Sequence, residues 1–213
     1  METRDRLLAA AEDLYAARGV DGVSLREIQR ASGVKNAAAM QYHFGDRAGL
    51  LTALLDRHNR DIEQRRHALL DSYEAAGVSD IRAVAEALVL PVAAKLSDDG
   101  GDAYLRIYAD LLNRRQPLLP DVLLEEDAAS IIRWRQVVDP FLDRTAVQLH
   151  RRFVVIRFVV AELAQRAATA PHTNDALFIS QLVDVVVAML AAPASDQTRR
   201  LADERAARSK PRT

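Results

Sequence analysis

The sequence predicts an all-α protein of about nine helices: an N-terminal three-helix domain with a helix-turn-helix, followed by a larger helical domain. Three observations predict it. Apolar residues recur at helical spacing, and runs of Val and Ile with strict alternation are missing. Ala, Leu and Arg dominate, while glycine and proline number only 8 and 7 in 213 residues. Capping and breaking residues fall at the ends of the periodic stretches.

Residues 3–18 form the first predicted helix, with Leu7, Leu8, Ala11, Leu14 and Tyr15 on one face and Gly19 as its stop. Asp21-Gly22 reads as a turn. Ser24 and Glu27 form an S-x-x-E capping box that opens a second helix, with Leu25, Ile28 and Ala31 inward. Ser32-Gly33 ends it, and Val34 is the apolar plug where two crossing helices meet. A third, short helix is expected from about Asn36 to His43, capped by Asn36, thinned by Ala37, Ala38 and Ala39, and anchored by Met40 and Phe44. Gly45 breaks it. Asp46 then caps a long fourth helix, about 47–74, bearing Leu50, Leu51, Leu54 and Leu55.

Beyond Gly77, a helix over 79–97 is expected to be interrupted near Pro91. Asp98 to Gly101 is a loop, and 102–115 is a helix carrying Tyr104, Leu105, Tyr108, Leu111 and Leu112. Gln116 to Pro120 turn the chain, and 121–138 form a helix centred on Ile131, Ile132 and Trp134. Asp139-Pro140 is a strong start signal for a helix running to about Ala168. A turn from Pro171 to Asn174 precedes the last helix, 175–192. The tail from Pro193 holds six Lys/Arg against three Asp/Glu and is expected to be disordered. The domains read as 1–46, 47–192 and this tail, 193–213.

The formal net charge is −1, so the chain is not a strongly basic polymer binder. Between Ser24 and Arg47, however, four Lys/Arg face two Asp/Glu. The absence of cysteine rules out disulfides, thiolate metal sites and a cysteine nucleophile, and fits a reducing cytosol. The N-terminus METRDRLL has no secretory core, and the apolar stretches Phe153–Leu163 and Leu182–Ala192 are interrupted or too short to span a bilayer. A cytoplasmic protein without membrane contact is the expectation. None of the five histidines follows a glutamate at E-x-x-H spacing, and no nucleotide, nucleophile-elbow or zinc-protease motif is present. Neither an enzyme nor a cofactor is expected.

The third helix carries small, polar and phosphate-seeking side chains where a core helix would carry Leu and Ile. That is the chemistry of a reader of double-stranded DNA: a thin face for the major groove, polar groups for base edges, and donors for flanking phosphates. Gln41 can pair bidentately with adenine, and so can Asn36 when not used as a cap. Ala37, Ala38 or Ala39 can meet a thymine methyl. Lys35, Tyr42, His43 and Arg47 are candidate phosphate donors, as is Arg26 on the second helix. Tyr42 and His43 could equally pack the domain, and Arg26 and Arg30 could be solvated charges.

The order of these parts resembles the TetR/AcrR family of bacterial transcriptional regulators. The resemblance rests on Leu7 to Ala11, Leu14-Tyr15, Arg18-Gly19, Ser24 to Ile28, Ala31 to Val34 and Gln41 to Arg47, and it covers about the first 55 residues. It implies a DNA-binding regulator, a repressor, with Tyr42 and Arg47 on phosphate. Lys35 to Phe44 is one residue longer than the commoner family spacing, which puts the extra residue at the turn or the start of the recognition helix.

The stretches FVVIRFVVAEL (153–163) and LFISQLVDVVVAML (177–190) are apolar almost all round and need burial on all sides. A homodimer through helices near 140–168 and 175–192 provides it, and a two-fold dimer would read a palindromic operator. The resemblance also implies a small-molecule effector pocket within residues 79–168. Candidate lining residues are Tyr104, Tyr108, Arg133, Trp134, His150 and Arg157, although tyrosine and tryptophan at helical spacing are commonly core. Arg157 could instead pair with an acid such as Asp184. The competing reading is a helical small-molecule-binding or adaptor protein without DNA-binding activity.

Overall fold

The computed structural model describes residues 2–36, 38–77, 79–114, 129–169, 171 and 173–208. Among them there are eleven α-helices and no strand: α1 Thr3–Arg18, α2 Leu25–Ala31, α3 Ala39–Phe44, α4 Arg47–Ala76, α5 Ile81–Ala93, α6 Gly101–Leu112, α7 Ala129–Val138, α8 Arg144–Gln148, α9 Arg151–Ala168, α10 Asp175–Ala191 and α11 Asp196–Arg208. The expected turn at Gln116–Pro120 and the first part of the helix expected over 121–138 lie outside the described residues.

Local chemistry sets the ends of the first helices. Ser24 Oγ accepts from the Glu27 N–H, and the Glu27 carboxylate accepts from the Ser24 N–H, so the capping box is complete. Asp46 Oδ1 accepts from the Gly49 N–H at 2.9 Å and opens α4. A Cβ at Gly49 would lie 2.0 Å from the Phe44 carbonyl oxygen, so the sharp α3–α4 junction requires glycine there. One buried apolar cluster begins with Leu7, Leu8, Ala11 and Tyr15 of α1, passes through Leu50 to Leu70 of α4, and reaches Val186 and Leu190 of α10. The N-terminal helices are thus seated on the same core as the rest of the chain.

Four expectations are corrected. The third helix starts at Ala39, not Asn36, because Asn36 folds the chain back on itself: its Oδ1 accepts from the Ala38 N–H and its carbonyl from the Ala39 N–H. Pro91 lies inside α5 and does not interrupt it; the helix gives way to a 3-10 turn only at Ala94–Ser97. Proline offers no N–H to the Ala87 carbonyl four residues back, and the Arg66 Nε–H of α4 fills that place at 3.2 Å.

The single helix expected from Asp139 to Ala168 is three pieces: a 3-10 turn at Asp139–Phe141, then α8, then α9. Asp143 restarts the chain as a cap, accepting from the Ala146 N–H at 2.7 Å, and His150 reverses the path at a left-handed φ of +56°. Finally, the tail expected to be disordered contains α11. Its start is fixed by Asp143 Oδ2, which accepts from the Ala194 N–H, and by Ser195 Oγ, which accepts from the Thr198 N–H. No residue of α11 is buried, so these caps and its own alanine- and arginine-rich sequence hold it.

Candidate nucleic-acid interface and internal cavity

Helix α3 has two faces. Ala39, Met40 and Phe44 are buried against α1 and α4, while Ala38, Gln41 and Tyr42 point outward, Tyr42 being 84% exposed. The loop before α3 is braced from α2: the Gln29 side-chain amide donates to the carbonyls of Val34 and Asn36, and Ser32 Oγ accepts from the Val34 N–H. Gly33 is left-handed, and a Cβ there would meet Arg6 Nη2 at 2.8 Å. That close approach lets Arg6 donate to the Ser32 carbonyl at 2.7 Å, tying α1 to the turn.

Two shallow grooves flank α3. One is bordered by Arg26, Gln29, Lys35 and Gln41, the other by Thr3, Arg6, Lys35, Asn36, Tyr42 and His43. Lys35 stands on the rim of both. The geometry therefore brings Arg26, Lys35, Asn36, Gln41, Tyr42 and His43 onto one surface, with Ala38 exposed between the grooves; Ala37 lies outside the described residues. Arg26, Arg30 and Lys35 are exposed and make no ion pair among the described residues. The His43 ring is half-buried and meets Tyr42 edge-on, with centroids 5.0 Å apart.

Arg47 differs from the expectation. Its Nη1 and Nη2 donate to the carbonyls of Val20 and Val23 at 2.6 and 2.7 Å, so its guanidinium bridges the α1–α2 loop to the start of α4. Those two carbonyls have no helical partners, and a fork of donors suits them. Thr3 and Arg6 were not among the sequence candidates; they stand on a different helix, far from Lys35 along the chain, and only folding places them beside it.

A family model described as bacterial regulatory proteins of the tetR family matches residues 7–54, from the middle of α1 into α4. The N-terminal head is of the TetR type. The chain carries that family's DNA-binding head and is a DNA-binding transcriptional regulator. No curated protein matches the chain. Among the described residues no single helix is long and apolar enough to cross a membrane.

Behind the TetR-type head, a cavity of about 190 Å³ lies between α4, α5, α6, α7 and α9. Much of its wall is apolar, from Ile62, Leu88, Val92, Ile131, Ile156 and Val159. Its polar lining is Asn59, Glu63, Arg66, Tyr104, Tyr108 and Arg135. Arg66 is buried; besides Ala87 it donates to Ser130 Oγ at 2.8 Å and reaches Glu63 at 3.4 Å. Burial pulls its pKa below the ordinary arginine value, with Glu63 acting in the opposite sense. Tyr104 and Tyr108 stack at 5.6 Å, and the Tyr104 hydroxyl donates to Asn59 Oδ1 at 2.9 Å. Burial raises both phenol pKa values, so both stay neutral hydroxyl donors.

Of the six sequence candidates for this pocket, only Tyr104 and Tyr108 line it. Trp134 is fully buried, and its Nε1–H donates to the Val84 carbonyl at 2.8 Å, which makes it a packing residue of α7 on α5. Arg133 pairs outward with Asp71 and Glu74, each at 2.7 Å. His150 and Arg157 are exposed, and they do not share a helical face because His150 sits in the turn before α9. Asp184, the suggested partner of Arg157, instead pairs with Arg82 at 2.6 Å. The missed lining residues Asn59, Glu63 and Arg66 sit on the α4 face turned toward α6 and α7, where a polar residue reads from sequence as a solvated one.

Proposed function

We propose that this protein is a ligand-responsive repressor that binds a palindromic operator as a homodimer. Residues 1–46 are the reading domain, and 47–192 the effector-binding and dimerisation domain. Lys35, Asn36, Ala38, Gln41 and Tyr42 present the reading surface, with Arg26 and His43 beside them. Lys35 and Tyr42 meet phosphate, and Gln41 meets a base edge.

The observation that carries the ligand response is the shared use of two helices. On α6, Tyr104 and Tyr108 line the cavity, while Asp110 Oδ2 accepts from the Val20 N–H at 3.0 Å; just beyond its end, Arg114 pairs with Asp21 at 3.0 Å. On α4, Asn59, Glu63 and Arg66 line the cavity, while Arg47 holds the carbonyls of Val20 and Val23. Two of the helices that border the cavity, α4 and α6, therefore lead into side chains that grip the loop between α1 and α2. A molecule that shifts α6 against α4 would move the head, and with it the spacing of two heads in a dimer.

The dimer is supported by the outer faces of α9 and α10. Their inner faces pack on α6 and α5, yet Val154 on α9, and Leu177 and Val185 on α10, remain exposed. Apolar side chains left in water on two neighbouring helices are a surface that a partner can cover. A second copy of the same two helices would cover them as a four-helix bundle.

Gel-shift titrations on genomic fragments at two salt concentrations test the reading. Binding that is both salt-sensitive and selective among fragments is the expected result. Salt-sensitive binding without selectivity would overturn the regulator, and no binding at all would favour a helical small-molecule-binding or adaptor protein.

A further inference from the structure

The polar groups of the cavity are unbalanced. Its charged lining is two arginines, Arg66 and Arg135, against one glutamate, Glu63. Glu63 is already engaged: Oε1 faces Arg66, and Oε2 accepts from the Ser130 N–H at 3.0 Å. The donors are not all engaged. Asn59 Nδ2 is buried with no hydrogen-bond partner, and the Tyr108 hydroxyl makes none among the described residues. The Arg135 guanidinium lies over the Phe153 ring, 4.9 Å from its centroid, and makes no ion pair among the described residues.

A cavity with spare donors and surplus positive charge lacks a partner that is acceptor-rich and anionic. The rest of the wall is apolar, which asks for an apolar body on that anion. A cavity of about 190 Å³ is somewhat larger than the roughly 150 Å³ that houses benzene. The stacked Tyr104–Tyr108 pair and Phe153 supply aromatic surfaces.

We infer that the effector is a small monocarboxylate with an apolar body of about single-ring size, its carboxylate paired principally with Arg135. This rests on the cavity being the effector site, as proposed above. Arg66 already uses Nε and Nη1 within the fold, whereas Arg135 has only its ring contact; the ligand carboxylate therefore takes Arg135 first. An amine of the same shape meets like charge and is rejected. A neutral amide fills the cavity but leaves the cation unpaired.

The test uses the full-length protein and three probes of one shape: 3-phenylpropionate, 3-phenylpropanamide and 3-phenylpropylamine. Calorimetry should show the acid binding at least about tenfold more tightly than the amide, with the amine weakest. Arg135→Gln should cost the acid about tenfold and leave the amide within about twofold. Arg135 is half-buried and has no role in the core, so the variant should keep its melting temperature without ligand. Equal binding of acid and amide, preference for the amine, no binding of the acid, or an Arg135→Gln effect shared by acid and amide would each overturn the ligand class. A gel shift of the ligand-free protein, run in parallel, reports the regulator reading separately, because selective DNA binding survives an error in ligand class.

Discussion

Arg47 and Lys35 are both cations at the edge of α3, but they have different surroundings and should fail differently when removed. Arg47 satisfies two loop carbonyls, so Arg47→Ala should destabilise the fold by about 1–3 kcal/mol and lower the melting temperature, without changing the slope of DNA affinity against salt. Lys35 is exposed and unpaired among the described residues, so Lys35→Ala should leave the melting temperature alone and reduce that slope by about one. Melting curves and salt titrations of the two variants separate these roles. Glu27 offers a test in acid. Hydrogen bonds from the Ser24 N–H and hydroxyl, then from Arg18, pull its pKa from 4.5 to about 2. A folded-state pKa below the unfolded one gives stability that is complete above about pH 4.5 and is lost as pH falls toward 2. The stability advantage of the native chain over Glu27→Gln should shrink through that window in denaturant titrations. An advantage constant with pH would show that Glu27 is not held this way.

At the scale of helices, cap and breaker chemistry made α1, α2 and α4 legible from sequence, since Gly19, Ser24 and Asp46 act within a few residues of themselves. The start of α3 was less legible. Asn36 serves a tight turn before the helix and is not its first residue. The division of residues 139–168 was hidden because Asp139-Pro140 and Asp143 are both good starts, and only packing decides which opens a long helix. The cavity was the least legible part. Tyr104 and Tyr108 stood out as aromatic, but Asn59, Glu63 and Arg66 are polar residues on a long helix, and their inward turn depends on α6 and α7. The link between cavity and head rests likewise on a contact across ninety residues, Asp110 to Val20. Asp110→Ala should leave both operator affinity without ligand and effector affinity nearly unchanged, and should weaken their coupling by roughly 0.5–2 kcal/mol. Operator titrations with and without effector measure it; unchanged coupling would exclude this contact as the route.

For the whole molecule, the proposal depends on two heads held on one axis. Leu177 is 65% exposed on α10 and contributes little to the core, so Leu177→Glu should fold normally yet place a charge in the proposed bundle. Sedimentation should show a shift from dimer to monomer, together with weaker operator binding; a dimer of unchanged stability would move the interface elsewhere. The most direct test of a two-headed, sequence-reading regulator is selection of bound sites from a pool of random double-stranded DNA. The expected outcome is enrichment of two inverted half-sites at fixed spacing, with preference at one base pair of each half-site relaxed in Gln41→Ala. Enrichment of a single unpaired half-site would contradict the dimer, and recovery of no preferred sequence would contradict α3 as a reader of DNA.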